Sequence, residues 1–78
     1  MNAERRKKLA AVAEFIADEL KSALEELRDE EQDYFDNIPE NLQQGERYEQ
    51  AESALDNLES AISSLEETVG YLEEITQN

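Results

Sequence analysis

The sequence predicts an all-α fold, an antiparallel hairpin of two long coiled-coil-like helices that gathers into a homo-oligomeric helical bundle. Three observations predict it. Tyr48, Ala51, Leu55, Leu58, Ile62, Leu65, Val69, Leu72 and Thr76 follow one another at unbroken steps of three and four, the a/d pattern of a helix laying an apolar seam on another helix. A second stripe, Leu9, Ala13, Ile16, Leu20, Ala23 and Leu27, repeats at the same steps in the first half and resumes at Tyr34 after Glu30 interrupts it. Between the two stripes lies the one proline of the chain, Pro39, with Gly45 close behind it.

The first helix is predicted over residues 3–35. Val12, Ala17 and Leu24 widen its apolar face beyond a bare seam. Alanine and glutamate are abundant there, and neither proline nor glycine precedes Pro39, which favours a long helix. Its bases, Arg5, Arg6, Lys7 and Lys8, stand at the positive end of its own dipole, and the acids Asp29, Glu30, Glu31 and Asp33 stand at the negative end. An antiparallel return of the second helix accounts for the first half of that arrangement, placing the bases near Glu66, Glu67, Glu73 and Glu74.

Residues 36–45, DNIPENLQQG, form the predicted turn. Pro39 disfavours helix at Ile38 and removes a backbone donor. It suits the first position of a short helical turn, and Gly45 suits a chain reversal or a left-handed stop. Ile38 and Leu42 give this connection apolar residues with which to pack. The second helix is predicted over residues 46–76, weakened at Gly70, where the helices are expected to approach closely.

The flanks of the second helix are unequal. Glu52, Glu59, Glu66 and Glu73 line one side of the seam, and Ala54, Ala61, Thr68 and Ile75 line the other. A helix with a single partner carries polar residues on both flanks, so the soft side predicts a second contact. The expected oligomer core is Leu20, Leu27, Leu55, Leu58, Ile62, Leu65, Val69 and Leu72. The chain, residues 1–78, makes one domain at most, and a chain of this length buries a modest core and needs a staple or a partner.

Composition narrows the function. The net charge is −14, from 21 acids against 7 bases, and no base follows Arg47. Such a surface repels nucleic acid and anionic membrane, so neither is an expected partner. With neither cysteine nor histidine, disulfides, thiolate metal sites and the commonest general base are ruled out. No nucleophile stands beside a base, because Ser53, Ser60, Ser63 and Ser64 have no histidine to activate them. The acids around Asp29 to Asp36 lack the glycine and closing glutamate of a calcium loop. No catalytic residue, metal or cofactor is therefore expected. No run approaches the roughly 18 apolar residues of a membrane span, and no signal-like segment follows the N-terminal bases. A cytoplasmic protein is expected.

The richest local chemistry surrounds the turn. Tyr34, Phe35 and Tyr48 offer flat stacking surfaces, and Asn37, Asn41 and Gln44 offer donors and acceptors suited to a purine edge or ribose hydroxyls. Arg47 can meet a phosphate or carboxylate. Arg5 and Arg6 can do the same when a neighbouring subunit brings them close. The competing reading makes Tyr34, Phe35, Ile38, Leu42 and Tyr48 a cap on the core, with Arg47 paired to Asp33 or Asp36.

Residues Glu30, Glu31, Gln32, Phe35, Asp36, Asn37, Pro39, Glu40, Leu42 and Gln43 spell an E-E-Q-x-x-F-D-N-x-P-E-x-L-Q turn. With the basic ERRK start and the heptad-rich second helix, the chain resembles small acidic helical-hairpin proteins of bacteriophages and prophages. The resemblance implies phage origin, residence in a bacterial host's cytoplasm and a helical hairpin. Small phage proteins of this size often counter host defence, and two activities follow as expectations. One is a sponge, a homo-oligomer that sequesters a nucleotide-type immune signal without cleaving it. The other is an acidic decoy that mimics DNA toward a basic host protein. A structural oligomerisation module is the third reading.

Overall fold

In the computed structural model, which describes residues 1–77, the chain is an elongated, all-helical hairpin measuring 59 × 15 × 13 Å. Helix α1 spans Ala3–Phe15 and runs without a break through a π-helical segment, Ile16–Leu20, into α2, Lys21–Asp36. A single 3-10 turn, Glu40–Leu42, leads to α3, Glu46–Gln77, which lies along both α1 and α2. No strand occurs among the described residues.

The ends of these helices follow from local chemistry. Asn2 caps α1, its side-chain oxygen accepting the Arg5 amide at 2.8 Å. Asn37 closes α2, donating its side-chain amide to the Asp33 carbonyl at 2.7 Å. Pro39 precedes the 3-10 turn instead of standing inside it, and its carbonyl accepts the Leu42 amide at 2.8 Å. Gly45 is no left-handed stop, since no glycine has a positive φ. It stands at the head of α3, its carbonyl taking the Glu49 amide, and a Cβ there would press to 3.2 Å of the Leu42 carbonyl oxygen. Glu46 and Glu49 in the first turn of α3 suit the positive end of its dipole.

Every a/d residue of the second helix, Tyr48 through Thr76, is buried or half-buried. Ala51, Leu55 and Ile62 are buried, together with Ala13 and Ile38 from the other arm. The first arm departs from the straight heptad. Leu9, Ala13 and Ile16 face α3 as expected, but beyond the π segment the row that turns inward is Lys21, Leu24, Arg28, Glu31, Phe35 and Ile38. Leu20, Leu27 and Tyr34 lie outside at 43%, 53% and 47% exposure, and Ala23 is exposed with them. The π segment supplies the reason. The Lys21 amide donates to the Ile16 carbonyl, five residues back, so one extra residue enters the turn and rotates everything after it by about 100°. The rotated phase buries Ile38 and brings Phe35 onto Tyr48 at the turn. A straight α-helix would point Leu27 and Glu30 at the seam instead.

Two ion pairs record the register. Lys21 meets Glu66 at 3.8 Å and Arg28 meets Glu59 at 3.2 Å. The aliphatic stems of Lys21 and Arg28 cover the seam while their charged heads reach its acidic flank. Pairs this exposed contribute little stability, typically under about 1 kcal/mol, but they hold the two rods in step. They also correct the expected place of the N-terminal bases. Glu66 faces Lys21, not Arg5 to Lys8, and Lys8 pairs with Glu4 one turn back in its own helix at 3.8 Å. Thr76 lies beside Ala10, so the basic turn stands at the very end of α3.

Gly70 does not mark a close approach, because a Cβ built there meets nothing within 4 Å. Its φ is not positive, so the residue brings only the entropic penalty of glycine in a helix. Gly70→Ala is expected to stabilise the chain by about 0.5–1 kcal/mol. Thermal melts followed by circular dichroism check this, and a fall in midpoint would show that something packs against the open site.

Candidate functional site

The turn end holds a half-open cavity of about 460 Å³, within the range of small-molecule sites. Tyr34 forms one wall, Ile38, Pro39 and Leu42 form the apolar floor, and Arg47 and Glu46 stand at the head of α3. The 3-10 turn creates it. Its Pro39 and Leu42 line the gap between the last turn of α2 and the first of α3. Leu42 stays 54% exposed on that wall, while Ile38 plugs the bottom at 9%.

Of the residues singled out from the sequence, Tyr34, Asn37 and Arg47 come together here. Phe35 and Tyr48 do not join them. Their rings stack on each other at 4.6 Å between centroids, tilted by 30°, and both are half-buried. They cap the core. The turn aromatics therefore divide between the two readings, Phe35 and Tyr48 closing the core and Tyr34 facing outward. Asn41 and Gln44 are exposed and do not line the cavity. Arg5 and Arg6 sit at the opposite tip of the rod, about 45 Å away along a helix rising 1.5 Å per residue. Within one chain they have no access to the turn. Arg5 is exposed, and the Arg6 Nε is shielded from solvent without a hydrogen-bond partner. Pro39, Leu42, Gly45 and Glu46 line the cavity and were not expected there. Their signal was the proline-led turn itself, which reads as a connection rather than as a wall.

The polar groups of the cavity are unevenly committed. The side-chain amide nitrogen of Asn37 is engaged in closing α2, which leaves its carbonyl oxygen for other partners. Gln50 donates to Glu46 at 3.3 Å. Arg47 makes no ion pair among the described residues, neither with Asp33 nor with Asp36, and it lines both the main cavity and a neighbouring depression of about 270 Å³ with Glu31, Tyr34 and Gln50. Arg28, by contrast, is held above its ordinary pKa, chiefly by the hydrogen bond it gives Asp29, with Glu59 adding to it against a partial desolvation. It is committed to the register of the rods.

Among the described residues no group of acids is placed to hold a metal ion, and no helix is long and apolar enough to cross a membrane. No family model matches the chain, and neither a curated protein nor a solved structure does. What the fold defines is an elongated helical hairpin with a ligand-sized cavity at its closed end.

Proposed function

We propose that the chain is a non-enzymatic binding protein of phage origin, a homo-oligomer in the bacterial cytoplasm that sequesters a nucleotide-type signal. The observation that carries this reading is the turn-end cavity, where Tyr34 and an uncommitted Arg47 share an apolar floor. A flat base stacks on Tyr34, Glu46 and the Asn37 carbonyl accept from amines or hydroxyls, and Arg47 meets a phosphate oxygen. Titration calorimetry against cyclic dinucleotides, cyclic mononucleotides and ADP-ribose tests it. Arg47→Ala should weaken binding about 10- to 100-fold, the weight of a hydrogen bond to a charged group, and Tyr34→Ala should do likewise with helicity unchanged. No heat from any member of the panel would end this reading.

The net charge of −14 favours a second reading, the acidic decoy. The acidic row offered for it is less free than the sequence suggests, since Glu59 and Glu66 are engaged by Arg28 and Lys21. A decoy would capture a basic protein, and salt would weaken that capture steeply.

A further inference from the structure

Beyond the π segment the first arm turns a row of apolar side chains away from its own partner helix. Leu20, Leu27 and Tyr34 recur at seven residues, and Val12, 48% exposed, extends the row across the one-residue offset. Seven residues before Val12, on the same side of α1, stands Arg5. On α3 the matching wall is made by Leu58 of the seam and Ala54 of the soft flank. Leu58 shares one depression with Leu27, Glu30 and Tyr34, and Ala54 shares another with Tyr34 and Arg47. One face of the hairpin is thus an apolar trough, and the opposite face carries the Lys21–Glu66 and Arg28–Glu59 pairs.

We infer that a second copy of this chain lies antiparallel in this trough, bringing Arg5 of each copy to Tyr34 at the turn end of the other. The inference rests on the proposed self-association and not on the identity of any ligand. Three observations select this occupant and this polarity. The first is area. A compact 9.0 kDa protein exposes about 4,900 Å², whereas this chain exposes 5937 Å². The excess, roughly 1,000 Å², comes with the 59 × 15 × 13 Å rod and leaves room for the ~800 Å² that each partner gives to a standard interface. The second is self-complementarity. Reversing the row about Leu20 sets Leu20 on Leu20, Val12 on Leu27 and Arg5 on Tyr34, as a two-fold axis requires. The third is charge. Glu30 and Glu31 flank Tyr34, so the antiparallel copy lays a guanidinium over an aromatic ring between two carboxylates. A parallel copy would set Arg5 against Arg5 and Glu30 against Glu30.

The consequence for the site is direct. The cavity has one guanidinium, Arg47, from its own chain, and the second copy adds Arg5 beside the Tyr34 wall. Two cations from two chains then face a ligand bearing more than one phosphate.

The test combines mass with polarity. Sedimentation at about 50 µM should give a dimer or a multiple of it, and Leu27→Asp should weaken association on the order of 100-fold or more by burying a charge against leucine. Leu27 is more than half exposed in the single hairpin, so that variant keeps its helicity. Because the chain has no cysteine, single substitutions report the contacts. Under mild oxidation Leu20→Cys should cross-link to itself, Arg5→Cys alone should not, and Arg5→Cys mixed with Glu30→Cys should. A wild-type monomer, or self-cross-linking of Arg5→Cys, overturns the arrangement. Nucleotide binding by a monomer would overturn it while leaving the ligand reading intact, and a dimer deaf to every nucleotide would do the reverse.

Discussion

Ile62→Ala is expected to cost the protein a large share of its stability. Ile62 is 3% exposed, midway along α3, and truncating a buried isoleucine removes about 2–5 kcal/mol. Small domains have only about 5–15 kcal/mol in total. The buried apolar residues among those described are Ala13, Ile38, Ala51, Leu55 and Ile62. Two of these five are alanines, so Ile62 holds a large share of what the seam encloses. Urea denaturation at one fixed protein concentration is the measurement, because assembly makes stability concentration-dependent. Ile75→Ala, at 38% exposure on the soft flank, is the control and should lose well under half as much. Equal losses would mean that the seam does not concentrate the stability where burial places it.

Deleting Asp18 is expected to leave the fold in place, although deleting one residue from a helix usually rotates all that follows by about 100°. Asp18 lies inside the π segment, which already holds one residue more than an α-turn requires. Its removal converts that turn to ordinary α-helix and keeps Lys21, Arg28, Phe35 and Ile38 facing α3. The melting temperature should move by no more than the roughly 4–8 °C that 1 kcal/mol represents in a chain of this length. Deleting Ser60 is the contrast. It is exposed on an α3 that has no such slack, and its loss throws Ile62, Leu65, Val69 and Leu72 out of phase with the residues before it. That variant should lose most of its helical signal at 37 °C. If the Asp18 deletion melts as early as the Ser60 deletion, the extra residue is required rather than tolerated.

The contrast between the two arms shows what could be read without coordinates. The heptad from Tyr48 to Thr76 is unbroken, and every position in it turns inward as its spacing demands. The first arm carries two apolar rows out of phase by one residue, Leu20–Leu27–Tyr34 and Leu24–Phe35–Ile38, and periodicity alone favours the richer one. What decided between them was non-local. Phe35 finds Tyr48, Arg28 finds Glu59, and Ile38 fills the base of the turn, and none of these gains is visible in a window of one helix. At the turn, composition marked Tyr34, Asn37 and Arg47, which line one cavity. It did not separate them from Phe35 and Tyr48, because stacking inward or outward depends on a single turn of helix. Pro39 and Gly45 announced a reversal without announcing that the reversal would stand open.

The wide turn at Ile16–Leu20 also divides the rod dynamically. The Lys21 amide reaches back five residues to the Ile16 carbonyl, so the regular α-helical ladder of amides is interrupted between α1 and α2. The α1 arm packs on the far end of α3, whereas α2 and the near half of α3 close on one another through the Phe35–Tyr48 stack, with Ile38 buried at the turn. Amide deuteration of the intact protein should accordingly resolve two blocks, with residues 3–15 losing protection before residues 21–36. The tip that bears Arg5 can then peel and reseat while the closed end of the rod stays folded.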